Sequence, residues 1–263
     1  MDIKVSLFAS SVRPELYPAF FKALEGTTVP YEVVFAGHTT KEEIEKSFTS
    51  LNFKYIHTAR IKPAQCYEIA RRACQGEVVI WCADDCLFSD DVVGKAYDFW
   101  KNCNDSKVIL SMITKERYDQ NYFLTDLDAH TLRGKGTPLM APIAMMSQEY
   151  LERLGGADRR YICGQYENDI VMRIYQDGGT LIQFKDCPLV IDHFVGHGGV
   201  TTEEGYARPF AQGYPNDRHV LETSWIDDIY LRVSKTRLDA FEPYEDKDIL
   251  TKSQSNNLAE RWQ

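Results

Sequence analysis

The sequence predicts an α/β fold in which a central sheet, parallel through its first half, carries helices on both faces. Three observations lead there. Short apolar runs alternate strictly with amphipathic, helix-length stretches through residues 3–105. The apolar run Val78-Val79-Ile80-Trp81-Cys82 ends, after Ala83, on the adjacent carboxylates Asp84 and Asp85. From Lys107 the alternation gives way to mixed strands and longer loops. Strand and helix in strict turn require parallel crossover units, and ligands of such sheets sit beyond the carboxyl ends of the strands. Asp84 and Asp85 occupy such an end.

Lys4 to Phe8 reads as the first strand, followed by a helix from Pro14 to Glu25 on which Leu16, Phe20 and Leu24 recur at helical spacing. Tyr31 to Ala36 is the second strand. Thr40 caps a helix to Phe48 with acidic residues in its first turn, and Phe53 to His57 is the third strand. A helix from Pro63 to Gln75 places Cys66, Ile69, Ala70 and Ala73 on one face and turns Glu68, Arg71 and Arg72 away. Gly76 ends it before the strand Glu77 to Cys82, and Asp90 or Asp91 opens a helix bearing Val93, Ala96, Tyr97 and Trp100. Further strands are expected at Val108 to Ile113, Tyr122 to Leu124, Met140 to Met146 and Leu189 to Asp192. Between the last two lie a helix from Gln148 to Leu154, the loop Gly155-Gly156-Ala157-Asp158, and a helix from near Glu167 to Gly178-Gly179. Residues 201–263 read as polar, aromatic and loop-like.

Composition narrows the function. A chain of 263 residues, 44% hydrophobic, can bury a substantial core. Its formal net charge of -9 leaves no excess of basic residues for a nucleic-acid backbone. There is no signal-peptide pattern at the N-terminus and no run of about 18 apolar residues, so no transmembrane segment and a cytoplasmic protein are expected. Cys66, Cys74, Cys82, Cys86, Cys103, Cys163 and Cys187 form no CxxC pair and fall mostly in apolar segments, as reduced core thiols do.

Three constellations carry chemistry. Adjacent carboxylates at a strand end, Asp84 and Asp85, are hard oxygen ligands suited to Mg²⁺ or Mn²⁺, which in turn neutralises a diphosphate; a solvated acidic turn is the alternative. Glu167 and Asp169 start a helix, where the dipole keeps a carboxylate ionised and fit to be a general base; Asp169 also suits an ion pair with Arg173 four residues on. His193 and His197 have the spacing of a helical metal pair, but the glycines around them argue for a loop, from which an imidazole can complete a site begun by a distant Asp.

With these residues in view, the chain resembles the family 2 type glycosyltransferases of the GT-A fold. That family commonly reads Gly-Glu, an aromatic residue, four apolar residues and then Asp-Asp-Asp. Gly76-Glu77-Val78-Val79-Ile80-Trp81-Cys82-Ala83-Asp84-Asp85 lies on it without a gap, with Ala83 in place of the first Asp and Asp85 in place of the metal-binding last one. A frame that uses Asp84 first and Cys86 last also fits. A second motif, Gly-Gly-Phe-Asp-Glu-Arg-Phe followed by Glu-Asp-x-Asp-Leu-x-x-Arg, resembles Gly155 to Tyr161 and Tyr166 to Arg173. Anchored on Asp169 and Arg173, it makes Glu167 the base, with Asp169 the alternative in a shifted frame.

The resemblance, over residues 3 to 200, implies a Rossmann-like nucleotide-diphospho-sugar transferase fold: a mixed central sheet flanked by helices. Residues 1–235 would form the domain, with a nucleotide-sugar-binding half at 1–105 and an acceptor and metal half at 106–235. Residues 236–263 would be an extension, packed on the domain or acting as a lid. Ser10, Arg13, Arg60, Lys62 and Asp84 are implied donor contacts, and Asp85, with His193 or His197, the holder of Mn²⁺ or Mg²⁺. The implied reaction moves a sugar with inversion from a nucleotide-sugar donor to a hydroxyl of a glycan, a lipid-linked sugar or a modified nucleobase. The missing first Asp leaves a second reading open, a catalytically silent module that binds a glycan or a partner.

Overall fold

The computed structural model describes residues 2–59, 61–88, 90–117, 123–125, 140–192, 213, 215–225 and 239–246. Four parallel strands form one side of the sheet: β1 (Val5–Ser10), β2 (Tyr31–Gly37), β3 (Phe53–His57) and β4 (Val78–Trp81), side by side in the order β3-β2-β1-β4. The order continues through β8 (Ala144–Ser147), β6 (Val108–Arg117), β9 (Thr180–Asp192) and β5 (Cys86–Leu87), while β7 (Phe123–Thr125) pairs with β6 off this path. β8 runs antiparallel to both neighbours, so the sheet is mixed.

Both faces of the sheet are covered, and the period of two in each strand sorts its side chains between two cores. Val5, Leu7, Val33, Phe35, Val78 and Ile80 pack with α1 (Tyr17–Ala23), α2 (Lys41–Ser47) and α4 (Val92–Cys103). Phe8, Val34, Ala36, Val79 and Trp81 point the other way, into α3 (Pro63–Arg72), α5 (Gln148–Arg153) and α6 (Tyr166–Gln176). Trp225, fully buried on a helix over residues 215–225, joins this second core. The capping box expected at Thr40 is present: Thr40 Oγ1 accepts Glu43 N–H at 3.3 Å, and Glu43 Oε2 accepts Thr40 N–H at 2.9 Å.

Several expectations need correction. The last strand starts at Thr180 rather than Leu189, because Thr180–Phe184 pair with β6 as Leu189–Asp192 do, on either side of an irregularity between Met112 and Thr114. The strand expected from Met140 begins only at Ala144. The first helix is a 3-10 turn (Pro14–Leu16) continued by α1 and ends at Ala23. Residues 215–225 are helical rather than loop-like. Glu68 and Arg71 do not face solvent: they are 1% and 6% exposed, and Glu68 accepts two hydrogen bonds from Arg71 and one from Arg72.

The buried Glu68 explains the double glycine. Gly156 has φ 71°, and a Cβ placed there would lie 2.3 Å from Glu68 Oε2. Beside it, Gly155 has φ 88° and would meet the Phe241 ring at 2.5 Å. Residues 239–246 lie across this turn: Asp158 bridges Pro243, Arg159 N–H donates to Glu242 O at 2.8 Å, and Arg72 donates to the Tyr244 carbonyl at 2.6 Å. Residues 247–263 lie outside the described residues. Gly156→Ala is expected to destabilise the protein by about 1–3 kcal/mol, measured by denaturant unfolding.

Candidate active site

Because β1 and β4 are parallel neighbours, their carboxyl ends deliver the loops holding Ser11 to Arg13 and Ala83 to Asp85 to the same edge of the sheet. Ser11 is fixed by its backbone: its N–H donates to Ala36 O at 2.9 Å, and its carbonyl accepts the Tyr55 hydroxyl at 3.0 Å. Gly37 permits this closeness, since a Cβ there would sit 2.1 Å from Ser11 O. The Ser11 hydroxyl donates to Asp84 Oδ2 at 2.5 Å. Arg13 closes on Asp84 Oδ1 and lies 3.3 Å from Asp85 Oδ2. Asp84 and Asp85 are 3% and 9% exposed. Burial pushes the Asp84 carboxyl above its ordinary range, against the pull of Arg13.

Ser10 is buried at the end of β1. Lys62 stands immediately before α3 and donates to Arg159 O at 2.9 Å, tying this crossover to the loop before α6. Arg60, His193 and His197 lie outside the described residues. Cys86 is fully buried in β5, where its sulfur accepts Ala83 N–H at 3.4 Å and burial holds the thiol protonated. Among the described residues no group of three or more His, Cys, Asp or Glu is arranged to hold a metal.

The second acidic motif splits into two environments. Glu167, in the first turn of α6, is half-buried, and burial pushes its carboxyl from 4.5 up to about 7. Hydrogen bonds from the backbone of Glu167 and Gln165 oppose the rise, and the charge of Asp217 adds to it. A carboxylate that titrates near neutrality suits general-base work. Asp169 is fully buried instead: Oδ2 accepts Arg173 Nε at 2.9 Å, and Oδ1 accepts Trp225 Nε1 at 2.8 Å. Arg173 also donates to the Leu154 and Gly156 carbonyls and lies 4.3 Å from the centre of the Phe241 ring.

Tyr67 on α3 connects the two motifs. Its hydroxyl donates to Cys82 O, two residues before Asp84, and its ring packs against Tyr166, next to Glu167, at 5.0 Å. Tyr67, Ser11, Glu68, Trp225 and Asp217 carry parts of this framework that the sequence did not reveal. Only the 215–225 helix had a readable signal, in Pro215 at its start and the apolar positions Val220, Leu221 and Trp225.

The fold is of the GT-A glycosyltransferase type. S. aureus TarS 1–349 superposes with a TM-score of 0.58 at 14% identity, over 86% of this chain and 75% of that one. Its complex with UDP gives a TM-score of 0.57 at 14% identity, covering 72% of this chain and 60% of TarS. The complex with UDP-GlcNAc gives 0.58 at 15%, covering 72% and 58%. In a longer TarS structure the chain spans 37% of its counterpart. No family model and no curated protein matches the sequence. Among the described residues no helix is long and apolar enough to cross a membrane.

The two acids of α6 should respond differently to substitution. Asp169→Asn leaves Arg173 buried without its counter-charge and is expected to cost about 3 kcal/mol in denaturant unfolding. Glu167 has the opposite sign: the folded state keeps its proton up to about 7 whereas an ordinary carboxyl releases it near 4.5. Stability is therefore lost as pH rises through that window. Glu167→Gln is expected to be more stable than wild type by about 1–3 kcal/mol near pH 8, and nearly equal to it near pH 4.

Proposed function

We propose that the protein is an inverting, metal-dependent glycosyltransferase that moves a sugar from a nucleotide-diphospho-sugar to an acceptor hydroxyl. The observation that supports this best is the strand-end acid pair, Asp84 locked by Ser11 and Arg13 with Asp85 beside it, at the position where this fold type receives its donor. The TarS structures carry UDP and UDP-GlcNAc, and we take a uridine diphosphate sugar as the first donor to test.

In this reading Asp84 anchors the loop after β1, so that Ser10 and Arg13 meet the diphosphate with Arg60 and Lys62. Two adjacent buried carboxylates are a donor set that suits a hard divalent cation, and Asp85, with His193 or His197, would hold Mn²⁺ or Mg²⁺. When bound, the cation supplies positive charge against the diphosphate leaving group. Glu167 takes the proton of the acceptor hydroxyl. The acceptor oxygen forms its bond to the anomeric carbon from the face opposite the diphosphate, which leaves with the electron pair of the broken carbon–oxygen bond. Asp169 stays out of the chemistry and holds α6. The buried free thiols of Cys66, Cys74, Cys82 and Cys86 suit a reducing compartment, in keeping with a cytoplasmic enzyme.

A thermal-shift panel of nucleotide sugars with Mn²⁺ identifies the donor, and nucleotide release then compares wild type, Asp85→Ala and Glu167→Gln. Turnover is expected to fall by about 100-fold or more in each variant. Undiminished turnover in Asp85→Ala removes the metal role, and a loss of donor binding rather than of rate in Glu167→Gln removes the base role. Glycan binding that needs neither nucleotide nor metal would identify a silent module instead.

A further inference from the structure

The turn that leads into α6 is held by a residue that the proposed reaction does not use. Asp217, on the 215–225 helix, is fully buried. Its Oδ1 accepts Ile162 N–H at 2.7 Å, and its Oδ2 accepts those of Cys163 and Gly164 at 2.8 and 2.9 Å. The Asn216 side-chain amide and the Cys163 thiol donate to it as well, at 3.2 and 3.4 Å. Successive amides turned toward one point form an anion-binding concavity, filled here by the chain's own acid.

The same loop is gripped from its other sides. Ile162 O accepts Ala64 N–H at 2.9 Å, at the start of α3. Gly213 lies so close that a Cβ there would be 2.7 Å from Ile162 Cγ2. Gln165 follows with φ 63°, a left-handed conformation that a non-glycine residue keeps only where its surroundings over-determine it. α6 begins at the next residue, and Glu167 is in its first turn.

We infer that Asp217 is a positioning residue for Glu167: it gathers the amides of residues 162–164 and sets the turn from which α6, with Glu167 in its first turn, starts. Its role in catalysis rests on the reading of Glu167 as base. The rise of the Glu167 carboxyl is caused first by burial and then by the charge of Asp217, while burial together with Asp217 keeps the neighbouring Cys163 thiol protonated. A residue that merely clamped a loop would affect stability and leave the titration of Glu167 where it is.

The test uses the whole chain without ligand. The Glu167 carboxyl carbon is titrated by NMR, assigned through its disappearance in Glu167→Gln, and amide exchange is followed at Ile162, Cys163 and Gly164. In Asp217→Asn the Glu167 midpoint is expected to fall from about 7, and exchange at the three amides to accelerate by about tenfold or more. Either readout unmoved overturns the inference. Asp217→Glu keeps the charge but has no room to satisfy all three amides. It serves if the Asn variant does not fold: faster exchange with the midpoint retained supports the assignment, and unchanged exchange overturns it. Turnover of Glu167→Gln separates the two readings. Full turnover there overturns the base and with it the positioning role, whereas loss of turnover with an unmoved midpoint in Asp217→Asn overturns the positioning role alone.

Discussion

The second half of the molecule is organised by the need to keep one ion pair satisfied inside the protein. Asp169 and Arg173 lie one turn apart on α6 with side chains 0% and 6% exposed. Removing two charges from water costs several kcal/mol per ion, so such a pair persists only where the remaining lone pairs and protons also find partners. Those partners come from segments far apart in sequence: the Trp225 indole on Asp169, and the Leu154 and Gly156 carbonyls and Phe241 ring on Arg173. The glycine turn, the 215–225 helix and the packed part of the C-terminal extension are brought to α6 by the same demand.

Buried acids matched with arginines recur through the domain. Asp84 meets Arg13, Glu68 meets Arg71 and Arg72, and Asp158 meets Arg160, which in turn reaches Asp239. Asp84 and Arg13 join the loops after β4 and β1, Glu68 is matched within α3, and Arg160 links the loop before α6 to Asp239. Glu68 also accepts Ala157 N–H at 3.3 Å, so α3 supports the turn before α6 from below while Tyr67, on the same helix, touches the ends of β4 and α6. One helix thereby sets the spacing between the strand-end acids and Glu167.

The sequence made the first half of the fold legible because local and global signals agree there: β1, β4 and most of β2 are buried runs, punctuated by caps and glycines. The second half was harder for physical reasons. β9 carries Lys185 and Asp186, both exposed, between its two runs of pairing with β6, and so does not read as one continuous strand. Glu68 and Arg71 look like a solvated face because charge alone does not say whether a partner waits inside. Asp84, Asp85 and Glu167 were visible as motif positions. Asp217 was not, since its partners are backbone amides, which leave no mark on the sequence.

The contrast between Glu167 and Asp169 follows from helix geometry. Two residues apart on an α-helix, their side chains diverge by about 200°. One is therefore fully buried in the core while the other is half-buried. A motif alignment sees two acids of equal standing, and their surroundings separate them: Asp169 is paired with Arg173, whereas among the described residues no arginine or lysine forms an ion pair with Glu167. The charge that Glu167 does sense is that of Asp217, whose partners are amides and a thiol, groups that hydrogen-bond a carboxylate without cancelling its charge. The distant acid thus adds to the rise that burial itself causes in the Glu167 carboxyl.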